Sequence, residues 1–376
     1  MNRMKMLALS AFAAGAVMGT AFAADPIKIG VYLPLTGNSA FGGQLELEGA
    51  QLAHEKFPTI MNRPVELIVV DNKSDKVESA NAVQRLVDKE KVVAIIGSFG
   101  SSLSMAGGEV AESAHIPMVG TSCSNPMVTM GKKYVFRAGF IDPYQGAGAA
   151  GWAIEKMGAK TAAILQEVSN DYSVGLAKFF KDAFEKKGGK IVAISNFQTG
   201  DQDFTAQLTE IISHSPDVLY IPINFAEGAI IMRQARELGG EFKIMGGDAM
   251  DNPEMAKIAG DACEGFTFTA VPYAREMPGK TESAELFTKY WDEHHTDEPS
   301  ALSALGYDCY LMIKDAIERT GSTDPEKITE GLATIKDLPC ATGLTTINAT
   351  HDAEKAVGIV QIINGKRTFV GTQATD

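Results

Sequence analysis

The chain has 376 residues, a formal net charge of −13, 45% hydrophobic residues and 22% charged residues. A chain of this length exceeds what one hydrophobic core comfortably holds, so two domains of ordinary size are predicted. An acidic chain without a basic cluster disfavours binding to nucleic acid or to anionic lipid.

The N-terminal residues predict a secretory signal peptide over residues 1–23. Arg3 and Lys5 precede an apolar run that ends in the tripeptide AFA (21–23). A basic start, an apolar middle and small residues at the end are typical of an exported chain, so cleavage after Ala23 is predicted. A retained membrane anchor is the alternative, because the uncharged run is nearly long enough to span a bilayer.

Four cysteines follow this leader, at positions 123, 263, 309 and 340. In an oxidising compartment an even number permits disulfide bonds, and four cysteines allow three pairings. A bridge between Cys309 and Cys340 is the preferred prediction. The spacing of the four does not match a metal site, and no metal is predicted.

Beyond the leader, short apolar runs alternate with amphipathic stretches. Strands are predicted at 27–35, 65–71, 92–96, 117–120, 134–139, 161–166, 190–195, 217–223 and 243–248. Helices are predicted at 45–57, 81–90, 105–115, from 143 onward, and at 175–189. This alternation is typical of parallel, doubly wound sheets, and two such series predict an α/β protein with two Rossmann-like lobes.

The C-terminal part has a different pattern. Residues 281–336 are predicted to be mostly helical, and residues 342–371 to form strands with turns at His351-Asp352 and Asn364-Gly365. A tail of a different kind suggests that the chain crosses back between the lobes.

Small hydroxyl residues follow two neighbouring predicted strands of the first lobe. The apolar run VVAII (92–96) is followed by GSFGSSLS (97–104), and the strand at 117–120 by TSCSNP (121–126). The first of these serine runs lies where a helix should begin, and helix N-termini bind anions such as carboxylates. A simple helix cap with a tight turn is the alternative. Because open α/β sheets bind ligands at the carboxyl ends of their strands, the repeated composition favours a binding site.

Polar residues also follow strands of the second lobe. Tyr172 follows its first strand, Asn224 follows the run DVLYIPI (217–223), and Asp248 follows KIMGG (243–247). Asp248 fits two roles, as a helix N-cap or as the counter-charge of a ligand cation. Tyr172 fits either plain packing or a place in the pocket.

Residues 146–151 read GAGAAG and match a dinucleotide-binding fingerprint, with Glu167 at about the distance expected of a ribose ligand. In that fingerprint the glycines follow a strand directly, whereas here Asp142-Pro143 indicates that a helix has already begun. The glycines are therefore predicted to be close-packing positions inside a helix.

Other enzyme signatures, such as GxSxG, HExxH or a P-loop, do not occur. His294-His295, flanked by Asp292 and Asp297, is interpreted as a solvated helix end rather than a metal site. The sequence therefore predicts neither an enzyme nor a cofactor.

Several motifs occur in an order that resembles a known family. They are IKIGVYLPLTGNSAFGGQLELEGAQLA (27–53), VDNKSDKVESANAVQRLV (70–87), GSFGSS (97–102), GTSCSNP (120–126), FRAGFIDPYQG (136–146), NDYSVGLAKFF (170–180) and IMRQARELG (231–239). Together they are similar to the branched-chain amino-acid (Leu/Ile/Val-type) periplasmic binding proteins of ABC importers.

The resemblance implies a type I periplasmic binding protein fold, in which two lobes close on a ligand by hinge motion. Three crossovers are expected near residues 139–142, 268–271 and 340–342. The first lobe would comprise residues 24–140 and 272–340, and the second residues 141–271 and 341–376.

The resemblance also implies roles for single residues. Ser101 and the neighbouring amides would receive a ligand α-carboxylate, and Gly100 is also expected among the ligand-binding residues. Ser122, through its carbonyl, and Ser124 would hold the α-ammonium, with Asp248 as its counter-charge from the other lobe. The remaining expected ligand-binding residues line the pocket: Phe41, Phe99, Cys123, Tyr172 and Asn224.

Two positions depart from the family pattern. Leucine, isoleucine and valine binders often have an aromatic residue where this chain has Asn224, and glutamate where it has Asp248. A polar pocket residue and a shorter acid leave the branched-chain ligand open, with an amide among the alternatives.

The implied function is that of a monomeric periplasmic receptor that captures an amino acid or a close relative. It would deliver this ligand to an ABC permease with ATPase subunits, without inserting into the membrane itself. A ligand sensor that signals to a receptor partner and a secreted NAD-dependent enzyme are the alternatives.

Overall fold

The computed structural model describes residues 25–273, 275–276 and 281–374. The predicted signal peptide lies outside the described residues. Within them, no helix combines the length and the apolar character needed to cross a bilayer.

The first sheet has a parallel core in which β1 lies between β3 and β4, with the strand order β2-β3-β1-β4-β5-β6. Only the short β2 runs antiparallel to its neighbour. The strands are β1 (Ile27–Leu33), β2 (Thr59–Ile60), β3 (Arg63–Asp71), β4 (Ala94–Ile96), β5 (Met118–Gly120) and β6 (Val135–Arg137).

The second sheet has the order β15-β14-β11-β10-β9-β7-β8, and its first five strands in the chain run parallel. The last two strands return antiparallel as a hairpin at the edge. The strands are β7 (Thr161–Glu167), β8 (Lys190–Phe197), β9 (Val218–Ile221), β10 (Lys243–Gly246), β11 (Thr267–Ala270), β14 (Val357–Ile363) and β15 (Lys366–Gln373). A separate two-stranded hairpin joins β12 (Leu338–Cys340) to β13 (Gly343–Thr345).

Helices connect the strands of both sheets, as the alternation predicts. They are α1 (Ala40–Lys56), α2 (Lys76–Arg85), α3 (Ser101–Ala114), α4 (Asp142–Glu155), α5 (Asp171–Lys186), α6 (Thr205–Ser213), α7 (Phe225–Glu237), α8 (Met255–Ala259), α9 (Glu282–His294), α10 (Ala301–Thr320) and α11 (Pro325–Ala333).

Helix α1 begins five residues earlier than predicted, because two glycines in its first turn hide the helical pattern. A Cβ on Gly42 would lie 2.4 Å from the Phe99 ring, and one on Gly43 would lie 2.2 Å from the Pro34 carbonyl oxygen. Tertiary contacts therefore require these helix-weakening residues at the start of α1.

Helices α1 and α10 pack with their backbones in contact, and this contact depends on two glycines. A Cβ on Gly49 would lie 1.8 Å from the Ser303 carbonyl oxygen, and one on Gly306 would lie 2.0 Å from that of Glu46. The close approach holds the Glu46 side of α1 in place against the sheet, next to the serine-rich loop after β5.

The GAGAAG run lies inside α4, which confirms the prediction that its glycines are packing positions. A Cβ on Gly146 would meet the Phe180 backbone at 2.7 Å, and one on Gly148 would meet Val357 at 2.8 Å. These glycines bring α4 close to α5 and to the edge hairpin.

The tail folds largely as expected, with a hairpin turn at Asn364-Gly365, where both residues have positive φ. The segment before it, however, packs on the first sheet: the Arg137 amide donates to the His351 carbonyl at 3.1 Å. We therefore propose that the third crossover falls between Asp352 and Val357, after the predicted 340–342. The lobe boundaries otherwise stay predictions.

The predicted Cys309–Cys340 bridge is not formed, and both cysteines are buried free thiols, as are Cys123 and Cys263. The Cys309 thiol points from α10 to the Gly120 carbonyl oxygen, 3.7 Å away. Cys340 lies in β12, with its thiol near Thr345. The two side chains therefore face different partners.

Candidate functional site

The strand order places the candidate site where each sheet changes direction. In the first sheet, β1 and β4 are neighbours, and the chain continues from them toward opposite edges of the sheet, which leaves a crevice between their ends. In the second sheet, β7 and β9 form the corresponding pair. Loops after the carboxyl ends of such strands form the usual ligand crevice of open α/β sheets.

A cavity of about 460 Å³ lies between these loops and is lined by residues from both sheets. Six of the ten predicted binding residues line it: Phe99, Gly100, Ser122, Tyr172, Asn224 and Asp248. Phe41 lines a small adjoining cavity that shares Phe99 and Asn224, and its ring lies 5.4 Å from that of Phe225. Ser101, Cys123 and Ser124 are buried behind the cavity wall and do not line it.

Helix α3 begins at this cavity without a side-chain cap. Gly100, with φ of +84°, occupies the N-cap position, and no side chain caps the helix. The alternative that a serine caps this helix is therefore wrong. The Ser101 hydroxyl accepts a hydrogen bond from the Asn125 amide at 3.0 Å, which leaves its own proton free for an acceptor.

The loop after β5 presents two buried hydroxyls without partners. Neither Ser122 Oγ nor Ser124 Oγ makes a hydrogen bond of ordinary geometry among the described residues, although the Glu46 and Asp142 carboxylates lie beside them. The Ser122 carbonyl accepts from the Gly100 amide at 2.9 Å, which joins this loop to the start of α3. Buried polar atoms without partners are rare in folded proteins, and Ser122 Oγ, whose residue lines the cavity, marks a place for a polar group.

A buried arginine supports this loop from behind. Arg137 Nη1 donates to the Cys123 carbonyl at 2.5 Å, and Arg137 Nε lies 2.6 Å from Asp352 Oδ1. Cys123 thus contributes its backbone to the loop, while burial raises the pKa of its thiol to about 11. A thiol with such a pKa remains protonated and unreactive at neutral pH.

Asp248 reaches the cavity from the second lobe. Its Oδ1 accepts from the Tyr172 hydroxyl at 2.9 Å and from the Ala249 amide at 3.1 Å, and its own amide donates to Gln145 Oε1 at 2.8 Å. Burial raises the pKa of this carboxyl. Asp248 is thus a buried acid that no cationic side chain of the described residues approaches within 4 Å.

Two further buried acids lie near the cavity, and the sequence analysis missed both. Glu46 on α1 accepts from the Ser122 amide at 3.0 Å and from the Thr121 hydroxyl at 2.5 Å. Asp142, at the start of α4, has one carboxylate oxygen without a partner. Burial, reinforced by the charge of Asp248, raises the pKa of each to about 8.

A sequence signal exists for one of them. Asp142 precedes a proline, and that pair was interpreted as a helix start rather than as part of the site. Glu46 alternates with leucines in LELEG (45–49), a pattern that does not distinguish it from the neighbouring Glu48.

Because the pKa of Glu46 is raised from its ordinary value, the folded protein binds a proton there that the unfolded chain has released above about pH 4.5. We expect the free energy of unfolding to fall as pH rises from about 4.5 to 8, by up to about 1.4 kcal/mol per pH unit for this group. Glu46→Gln should flatten that slope, measured by denaturant unfolding between pH 5 and 8. The exposed Glu66→Gln is the control, and an unchanged slope in Glu46→Gln would contradict the assignment.

Contacts across the cleft show that the two lobes are closed on each other. Lys76 Nζ lies 2.9 Å from Asp171 Oδ2, and the Ser102 hydroxyl donates to the same carboxylate at 2.7 Å. Asn125 Nδ2 donates to the Asp171 carbonyl at 2.9 Å. The start of α5 is therefore tied to three elements of the first lobe.

In the described ranges, no group of three or more His, Cys, Asp or Glu side chains is arranged to hold a metal ion. His294 lies exposed at the end of α9, 3.4 Å from Glu55, and the His295 ring stacks on Trp291. This agrees with the interpretation of the two histidines as a helix end.

The family model described as "Periplasmic binding protein" matches residues 26–367. The chain belongs to the periplasmic binding protein family. This periplasmic binding protein is 30% identical over 329 residues to the leucine-, isoleucine-, valine-, threonine- and alanine-binding protein of Pseudomonas aeruginosa, covering 85% of this chain and 86% of the relative.

Solved structures agree with this assignment. A leucine binding protein, LivK, of Thermotoga maritima superposes with a TM-score of 0.90 at 42% identity, covering 93% of this chain and 99% of that chain. A second structure is the branched-chain amino acid transporter substrate binding protein LivJ of Streptococcus pneumoniae in complex with isoleucine. It superposes with a TM-score of 0.86 at 29% identity, covering 93% of this chain and 99% of that chain. The predicted type I fold and the predicted family are both confirmed.

Proposed function

We propose that this periplasmic binding protein captures an α-amino acid or a close relative and delivers it to an ABC importer. The observation that carries the proposal is the pairing of a polar serine loop on one lobe with a buried, uncompensated acid on the other. At the cavity, Ser122 supplies the hydroxyl and Asp248 supplies the acid.

The carboxylate of such a ligand would lie at the start of α3. The uncapped first turn carries a partial positive charge, and Gly100 and Ser102 at this helix start line the cavity. The ammonium would lie between the loop after β5 and Asp248, where it would be a partner for buried oxygen atoms. Opposite ends of one zwitterion thus bridge the two lobes.

The printed functions of the relatives support the same ligand class. The Pseudomonas relative binds leucine, isoleucine, valine, threonine and alanine, and the Streptococcus structure holds isoleucine. The latter belongs to a transporter, which supports a membrane permease and its ATPase subunits as partners. We further propose export with cleavage after Ala23, a periplasmic location and no catalytic activity.

Ligand binding should compact the protein and raise its melting temperature, because a bridging ligand is held fully only by the closed form. At 100 times its dissociation constant, a ligand should add about 2.7 kcal/mol to the free energy of unfolding. Thermal melts against a panel of L-amino acids identify the ligand, and small-angle scattering with and without it measures the contraction. Failure of every α-amino acid to shift the melting temperature would overturn the proposal.

A further inference from the structure

Four polar side chains follow four adjacent strands of the second sheet and form a row along the cavity. Asp248 follows β10, Asn224 follows β9, Glu167 ends β7, and Thr199 follows β8. All four line the cavity. Since neighbouring strands lie about 4.8 Å apart, Asn224 is about 5 Å and Glu167 about 10 Å along this row from Asp248.

The middle of the row has unused hydrogen-bonding capacity. Asn224 occupies the N-cap position of α7, yet its side chain does not cap the helix and makes no hydrogen bond to another described residue. Glu167 is buried and accepts from Asn170 Nδ2 at 2.9 Å and from the Thr199 hydroxyl. A carboxylate has room for further donors beside these two.

The acids at the far end of the row lack a cationic partner. Neither Glu167 nor Glu227, which is buried behind it with one unpartnered carboxylate oxygen, forms an ion pair among the described residues. The two lysines that line the cavity do not compensate them. Lys73 pairs with Glu78 at 3.3 Å, and Lys76 pairs with Asp171 at 2.9 Å.

We propose that the ligand is an α-amino acid whose side chain ends in N–H donors, an inference that rests on the proposed function. Its ammonium lies at Asp248, its methylene groups pack between Phe99 and Tyr172, and its terminal N–H groups bond Asn224 or Glu167. An aliphatic branched side chain would leave the Asn224 amide without a partner and would add no donor to Glu167, which costs affinity.

The position along the row distinguishes the two sources of such donors. A carboxamide side chain reaches Asn224, about one strand spacing away, whereas the longer lysine or arginine side chain reaches Glu167, about two spacings away. Both chemistries share the N–H group, and the binding experiment separates them.

Calorimetry on the whole mature protein compares pairs of similar shape: L-asparagine with L-leucine, L-glutamine with L-methionine, and L-lysine with L-norleucine. At least one N–H-bearing member should bind about tenfold or more tightly than its hydrocarbon or thioether counterpart, because a site built for hydrogen bonds rejects an analogue that lacks them. L-arginine completes the panel as the longest donor.

Two variants locate the contact. Asn224→Leu should lower the affinity for an amide ligand by about tenfold and raise the affinity for L-leucine. Glu167→Gln should selectively lower the affinity for L-lysine or L-arginine. Gln51→Leu, which changes an exposed amide on α1, is the matched control and should leave affinity unchanged.

Tighter binding of L-leucine than of L-asparagine, with no preference for donors in the other pairs, would overturn this inference and leave the proposed function standing. Binding of none of these amino acids would overturn both. Equal affinities of the wild-type protein and Asn224→Leu for an amide ligand, together with equal affinities of Glu167→Gln for a cationic one, would also overturn it.

Discussion

Replacing Asp248 with alanine is expected to weaken binding of the amino-acid ligand by about thirtyfold or more. The substitution leaves the ligand ammonium in a desolvated cleft without its counter-charge, a loss of about 2–5 kcal/mol for a buried hydrogen-bonded charge pair. Each 1.4 kcal/mol is about a factor of ten in affinity. Asp248 comes from the second lobe while the serines come from the first, so the variant tests the chemistry and the closure together.

A second substitution separates charge from packing. Asp248→Asn can still accept a hydrogen bond from Tyr172, which lies 2.9 Å from the carboxylate, but it lacks the negative charge. We expect it to bind nearly as poorly as Asp248→Ala while unfolding more like the wild type. Asp261→Ala, an exposed acid of the same lobe, is the control for calorimetry and thermal melts.

The competing role of Asp248 is local. Its carboxylate also accepts from the Ala249 amide in the short 3-10 turn Asp248–Met250. If that bond were its whole function, Asp248→Ala would cost about 1 kcal/mol of stability and spare the affinity. Unchanged affinity with a lower melting temperature would therefore refute the counter-charge assignment and favour an uncharged amide as ligand.

Replacing Asp352 with alanine is expected to lower the free energy of unfolding by about 3–5 kcal/mol, because it leaves a buried cation without its partner. Arg137 is fully buried, and Asp352 is 5% exposed. Thr129 donates to the same carboxylate at 2.8 Å and also accepts from Arg137 Nη2 at 2.9 Å. The pair is therefore part of a buried hydrogen-bond network, and the single substitution removes the acceptor that Arg137 and Thr129 share.

Denaturant unfolding measures the effect, and Glu354→Ala is the control, since that exposed acid lies two residues away. The double variant Arg137→Met/Asp352→Leu removes both charges and should recover much of the loss, because buried ion pairs are often replaceable by apolar residues. A loss below about 1 kcal/mol for Asp352→Ala would show that water reaches the arginine, as at an exposed pair.

Local patterns predicted most of the fold. Strand–helix alternation located the parallel strands of both sheets except β11, whose residues were expected to form a crossover, and the serine runs after 92–96 and 117–120 pointed to strand ends at the cavity. Asp142-Pro143 placed the GAGAAG run inside a helix, and α4 confirms it. These features depend on residues close together in sequence, so periodicity and turn chemistry reveal them.

Contacts between distant residues were not predictable in the same way. Glu46 meets the serine loop across 75 positions of sequence, and Arg137 meets Asp352 across more than 200. The prediction of a Cys309–Cys340 disulfide was wrong for the same reason, since the directions of the two side chains depend on how α10 and β12 pack.

The sequence by itself determined the two-lobed α/β class, the strand ends that carry the polar residues, and the resemblance to a binding-protein family. Only the tertiary structure decided which of those residues line a common cavity, which hydroxyls lack partners, and which acids are buried together. The physical reason is that alternation and propensity are local properties, whereas burial, pKa and hydrogen-bond satisfaction depend on everything that packs around a group.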